Sequence, residues 1–264
     1  MRDEMKDYSI IFPSRDRQRL LTDLIKSIAN TTYDSTSIEV LIAIDDDDTD
    51  MQSYAYWAKD SLPNYVKFFP VPRSVNFSRD YYTYLFGKST GRWIIACNDD
   101  AEFTTPNWDK EAKNALESYI GAGPNIVYGW IEDGLGSHRL SQFGNYCCFP
   151  LLGRDGIEAL GYYFSPNVTI WGADIWCEKL YRSIGRTLTM PFTISHISHH
   201  SGKREQDDLN KRLAWENRKN PCDMIPTREE QNKLISLLRN LPYIQDDRPV
   251  PVKMEPPKMA NAFR

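Results

Sequence analysis

The sequence predicts an α/β protein built on a doubly wound, mostly parallel sheet with helices on both faces. Three observations predict it. Over the first 120 of 264 residues, short apolar runs alternate with segments whose apolar residues recur at helical spacing, the pattern that yields a parallel sheet. The composition is that of an ordinary globular chain, 41% apolar and 26% charged. Polar clusters follow several of the apolar runs, where sheets of this class bind ligands.

The elements follow in order. Tyr8 to Phe12 (YSIIF) is a buried strand, and Leu20, Leu21, Leu24, Ile25 and Ile28 form one face of the next helix. Ile38 to Ile44 (IEVLIAI) is a second strand, and Tyr65 to Val71 a third whose Pro70 marks an edge or an early end. A helix is expected over Phe77 to Phe86, and a strand over Trp93 to Cys97. Thr105 and Pro106 cap the next helix, whose face is Trp108, Ala112, Ala115, Leu116 and Tyr119. Further on, Asn125 to Ile131, Asn145 to Leu151 and Pro191 to Ile197 are expected strands. Arg154 to Leu160 and Asp174 to Ile184 are helices stopped by Gly161 and Gly185. Two polar helices are expected near 205–219 and 228–240, the second opened by a capping box of Thr227 and Glu230. One domain over 1–247 is expected, with a first half of about 7–120 and a second of about 121–247. The proline-rich tail, 248–264, carries Arg248, Lys253, Lys258 and Arg264 against Glu255 and is expected to dock loosely.

Net charge is −4, so there is no overall basic field to recruit nucleic acid or anionic lipid. The charged opening and the lack of an apolar run near the ~20 residues that span a bilayer predict a soluble, cytoplasmic protein. Five cysteines without C-x-x-C spacing are expected as reduced, mostly packed thiols.

Three polar clusters fall at strand ends: Pro13-Ser14-Arg15-Asp16-Arg17, the run Asp45 to Asp48 with Asp50, and Asn98-Asp99-Asp100. The aspartate run is not a calcium loop, since a loop opening at Asp45 would need glycine and glutamate where Asp50 and Tyr56 stand. Its later members suit a solvated turn with Asp48 or Asp50 as helix cap, whereas Asp45 and Asp46, nearest the strand end, suit a ligand contact. Asn98-Asp99-Asp100 suits a hard divalent cation that also holds phosphate oxygens, or equally a capped strand end. His196, His199 and His200 sit together late in the chain.

These segments, in this order, resemble a family-2-type nucleotide-sugar glycosyltransferase of the GT-A fold, a Rossmann-type architecture with an acceptor-side C-terminal half. "YSIIFPSRDR", "IEVLIAIDDDDTD", "GRWIIACNDDAEFTTPNW" and "GYYFSPNVTIWGADIW" carry the resemblance, which covers about residues 7 to 220. It implies transfer of a sugar from a nucleoside diphosphate sugar, UDP-linked first, to a hydroxyl acceptor, a glycan or lipid-linked molecule among others. It implies that Pro13, Ser14 and Arg15 border the base, that Asp45, with Asp46, contacts base or ribose, and that Arg79 and Asp99 approach the nucleotide. Asp100 stands where the family's D-x-D motif holds its metal, manganese ahead of magnesium, with Asn98 in place of the first aspartate. His199 best matches a late metal-binding histidine, with His196 and His200 as rivals. Asp174 matches the second acidic residue of the E-D motif and would serve as general base in an inverting displacement, with Ala173 where glutamate often stands; a helix cap is its alternative. Trp130 and Trp171 flank the implied acceptor side, where they could stack on a sugar or simply fill core. Three other readings stand beside this one: a non-catalytic nucleotide-sugar or glycan-binding module, favoured by Asn98 and Ala173; a metal-dependent phosphohydrolase or nuclease using the carboxylate clusters, which needs two ions and more convergent ligands than the sequence assembles; and a transferase acting on modified DNA bases, disfavoured by the acidic balance.

Overall fold

A computed structural model of the chain describes residues 5–134, 147–168, 172–197 and 225–238. The expected strands at 8–12, 38–44, 65–71 and 93–97 form as β1 (Tyr8–Ser14), β2 (Ile38–Asp45), β3 (Val66–Val71) and β4 (Trp93–Ala96). They pair in parallel, with β1 between β2 and β4 and β3 outside β2. Every residue of β2 is buried. Full burial of a strand on both faces requires cover on both sides of the sheet, which explains why IEVLIAI lacks polar alternation.

The second half adds β5 (Ala101–Phe103), β6 (Tyr128–Glu132), β7 (Leu151–Gly153) and β8 (Thr187–His196). The sheet order is β3-β2-β1-β4-β7-β6-β8-β5. Here the sheet is mixed: β7 runs antiparallel to β4 and β6, and β5 antiparallel to β8, while β6 and β8 are parallel. The helices are α1 (Gln18–Thr31), α2 (Thr49–Ala58), α3 (Tyr84–Lys88), α4 (Trp108–Ile120), α5 (Arg154–Leu160), α6 (Ala173–Ser183) and α7 (Arg228–Leu238).

Several boundaries differ from expectation. The segment predicted as one helix over 77–86 begins as a π-helical turn, Ser78–Thr83, before becoming α3. Helix α4 starts three residues beyond Thr105, with Asn107 in the left-handed region at its cap. Thr105 instead accepts the backbone N–H of Thr193 on its side-chain oxygen at 3.0 Å, tying the loop to β8. Of the strand expected over 145–151, only Leu151 lies in β7; residues 145–146 and the helix expected near 205–219 fall outside the described residues. The α7 capping box forms as the sequence signals, Thr227 N–H to Glu230 Oε2 at 2.7 Å and Glu230 N–H to Thr227 Oγ1 at 3.2 Å.

An aromatic cluster joins the two halves. Tyr8 lies 5.3 Å from Trp93 and 5.0 Å from Trp108, and Trp108 packs 5.0 Å from Phe103 and 5.3 Å from Phe192. It links β1, β4, β5, α4 and β8. At the amino edge, buried Glu39 accepts from Ser9 Oγ at 2.7 Å and from the N–H of Thr90, while Gly91 N–H donates to Ser9 Oγ. A Cβ on Gly91 would sit 2.5 Å from the Ser9 backbone nitrogen, so the turn into β4 requires glycine.

Candidate active site at the carboxyl edge

Because β1, β2 and β4 are parallel, their carboxyl ends place the three polar clusters on one edge. After β1 the chain turns sharply, with Asp16 at φ 52°. That left-handed turn is held by Asp48, which accepts the Asp16 N–H at 2.8 Å and caps α2 through the Met51 N–H at 3.1 Å. The turn directs Arg15 towards the aspartate run. Its guanidinium donates to Asp45 at 2.8 Å and also to Asp47, which Arg73 reaches from the other side at 3.2 Å. These carboxylates raise the Arg15 pKa above its ordinary value, and the guanidinium groups of Arg15 and then Arg73 lower that of Asp47. Asp45 also accepts from the Tyr81 hydroxyl, whose pKa rises through burial and this contact. Asp45 is buried and Asp46 exposed; Asp46 is anchored by its backbone N–H to Val71 O at 2.8 Å. The aspartate run is thus partitioned: Asp45 within a polar network, Asp46 facing outward, Asp47 between two arginines and Asp48 at a cap.

The third cluster is more enclosed. Asp99 and Asp100 are 4% and 6% exposed. Asp99 turns towards β1, accepting from Ser14 Oγ at 2.9 Å and Arg17 Nη1 at 2.8 Å. Burial pushes its pKa up to about 6 against the pull of Arg17. Asp100 turns the other way, with Oδ1 3.3 Å from Nε2 of His196. The pairing of β5 with β8 sets Ala101 opposite His196, which makes this contact. Asn98 accepts the Tyr82 hydroxyl at 3.1 Å. That buried phenol is pushed well above its usual pKa, first by burial and then by Cys97, Asp99, Asp100 and Asp174.

Asp174 is half-buried in the first turn of α6, after Gly172 in the left-handed region, and accepts the Ile175 N–H at 2.8 Å. A second set of donors lies close by: Asp133, Cys148 and His196, with one ligand atom from each all within 4.8 Å. The Asp100 carboxylate beside an imidazole, with a carboxylate and a thiol adjacent, is a donor set that fits a divalent transition metal.

Pro13 and Trp130 are partly buried, and Trp130 packs against the core. Arg79 is exposed and pairs with Asp80 at 2.6 Å. His199, His200 and Trp171 lie outside the described residues. Arg17, Tyr81 and Tyr82 were not singled out as site residues from the sequence. Arg17 was visible as the last member of its cluster. Tyr81 and Tyr82 carried no such signal, because the π-helical turn that aims both phenols at the edge has no distinct sequence period.

The fold is α/β and GT-A-like. Among solved structures the chain resembles S. aureus TarS (residues 1–349) in complex with UDP, with a TM-score of 0.58 at 12% identity over 89% of this chain and 79% of that one. It also resembles the mannosyltransferase PcManGT from Pyrobaculum calidifontis in complex with GDP-Man and Mn2+, with a TM-score of 0.57 at 13% identity over 90% and 75%. No protein-family model matches the chain, and no curated protein matches it in sequence. Among the described residues no helix is long and apolar enough to cross a membrane.

Proposed function

We propose that the chain is a divalent-cation-dependent, family-2-type glycosyltransferase that moves a sugar from a nucleoside diphosphate sugar, UDP-linked first, to an acceptor hydroxyl with inversion. The observation that carries this reading is the meeting of three strand-end clusters on one edge, with His196 beside Asp100. Structural neighbours solved with UDP and with GDP-Man and Mn2+ support it.

In this reading the β1 and β2 ends take the nucleoside. Pro13 borders the base, Asp45 is oriented by Arg15 and Tyr81 towards base or ribose, and exposed Asp46 and Arg79 form the rim. Asp99 acts from behind: both its oxygens are engaged by Ser14 and Arg17, so it positions these two residues. Asp100 and His196 hold the cation, manganese ahead of magnesium, and His196 takes the role that the sequence assigned to His199. When bound, the cation offsets negative charge that builds on the leaving diphosphate.

Asp174 accepts the proton of the acceptor hydroxyl as its oxygen bonds to the anomeric carbon and the bond to the diphosphate oxygen breaks. The acceptor is a glycan, a lipid-linked molecule or another hydroxyl compound, with Trp130 near its path. A binding module without turnover is the second reading. It is favoured by Asn98, held by the Tyr82 hydroxyl where a carboxylate would strengthen cation binding, and by Ala173. Transfer to modified DNA bases is a lesser variant.

Asp174→Asn decides between the first two. It is expected to lower transfer or slow donor hydrolysis on the order of 10²–10⁴-fold with melting temperature and UDP affinity retained. Wild-type turnover by the variant would remove Asp174 from the role, and no turnover by the wild type on any nucleotide sugar would favour the binding module.

A further inference from the structure

The second donor set shares His196 with the pair just described, so a cation held by it competes with Asp100 for that imidazole. Asp133 follows β6, Cys148 precedes β7 and His196 ends β8, so the three donors come from three separate segments. That explains why no C-x-x-C spacing announced them. One ligand atom from each comes within 4.8 Å of the other two.

Local structure holds the group together. The His196 N–H donates to the Asp133 carbonyl at 3.1 Å, which locks the two backbones side by side. Cys147 accepts the Ile131 N–H at 3.3 Å and donates its thiol to the Ile131 carbonyl at 3.1 Å. This fixes the Cys147-Cys148 pair beside the strand that leads into Asp133. The Phe149 ring meets the His196 imidazole edge-on, with centroids 5.3 Å apart, and restrains its orientation. Donors fixed by their surroundings before a metal arrives are what a tight site requires.

We propose that Asp133, Cys148 and His196 form a thiolate-containing site for a borderline-soft divalent cation of the zinc class. One carboxylate, one thiolate and one imidazole match the three-ligand complement of open zinc sites, which leave a fourth position for water or substrate. Thiolate ligation favours zinc or cobalt over magnesium. The proposal goes beyond the glycosyltransferase reading, because Asp133 and Cys148 play no part in that reading.

Cobalt is the direct probe, since a cysteine thiolate bound to it gives a charge-transfer band in the near ultraviolet. The full chain, stripped with a chelator, is titrated with Co2+ and then with Zn2+. A stoichiometric thiolate band that Zn2+ abolishes, together with a rise in melting temperature on adding Zn2+, is the expected result. Cys148→Ser is expected to lose the band while keeping the metal-free melting temperature, and Asp133→Asn to keep it with at least tenfold weaker affinity. Absence of the band in wild type, or its persistence in Cys148→Ser, overturns the proposal. UDP affinity measured with Mn2+ on separate metal-free aliquots, to which no Co2+ or Zn2+ has been added, separates the two readings. The band without UDP binding leaves this site standing and removes the transferase; UDP binding without the band does the reverse.

Discussion

Asp99 and Asp100 are sequence neighbours with different tasks. Asp99 is buried against Ser14 and Arg17, while Asp100 faces His196. Adjacent buried carboxylates repel each other, and the arrangement persists because Arg17 supplies positive charge on one side. Arg17→Ala is therefore expected to destabilise the fold by up to about 3–5 kcal/mol, the cost of leaving a buried charge without its partner. Protonation of Asp99 is the escape that lowers this figure. Urea denaturation measures it, and a change below 0.5 kcal/mol, the ordinary size for a surface substitution, would show that the pair does not hold the edge. Residue types and positions made the strand-end clusters legible in the sequence. Orientation was not legible: nothing in N-D-D says that its second and third residues point to opposite neighbours. The choice of His196 beside Asp100 likewise depends on the β5–β8 register, which a three-residue strand does not advertise.

At the scale of elements, long periodic segments were the readable part. The α1 face of Leu21, Leu24, Ile25 and Ile28 is buried as its spacing requires, and the β1, β2 and β4 runs form a parallel core. The irregular pieces were not readable, because tertiary contacts rather than propensity set them. The π-helical turn at Ser78–Thr83 is an example. It carries the phenols of Tyr81 and Tyr82 to Asp45 and Asn98. The aspartate run shows how an element boundary and a site share residues. Asp48 serves two backbone donors, one at the start of α2 and one in the turn after β1. Asp48→Ala is expected to cost about 1 kcal/mol through the lost cap, within a range of about 0.5–2, and to loosen the Arg15 turn. A lower melting temperature with weaker nucleotide affinity is the expected pair of readouts; loss of stability alone would make Asp48 a cap and nothing more.

At the scale of the molecule, two sheet halves of different character meet around one aromatic cluster. The parallel half presents the three strand-end clusters, and the mixed half brings His196 to Asp100. Trp108 touches both halves through Tyr8, Phe103 and Phe192. Trp108→Ala is expected to cost about 3–5 kcal/mol and to lower the denaturation midpoint without changing the surface of the site, as measured by guanidinium titration. Chain-scale properties such as composition and acidic balance bound the class of protein without choosing a substrate, which is why donor and acceptor rest on the site.

The most direct test of the central claim is calorimetric titration of the full chain with UDP, in Mn2+ and in a chelator. The account predicts binding in Mn2+ that weakens at least tenfold, a difference of about 1.4 kcal/mol or more, both in chelator and in Asp100→Ala. UDP affinity equal in Mn2+ and chelator and unchanged by Asp100→Ala, or no binding of any nucleoside diphosphate by the folded protein, would contradict it.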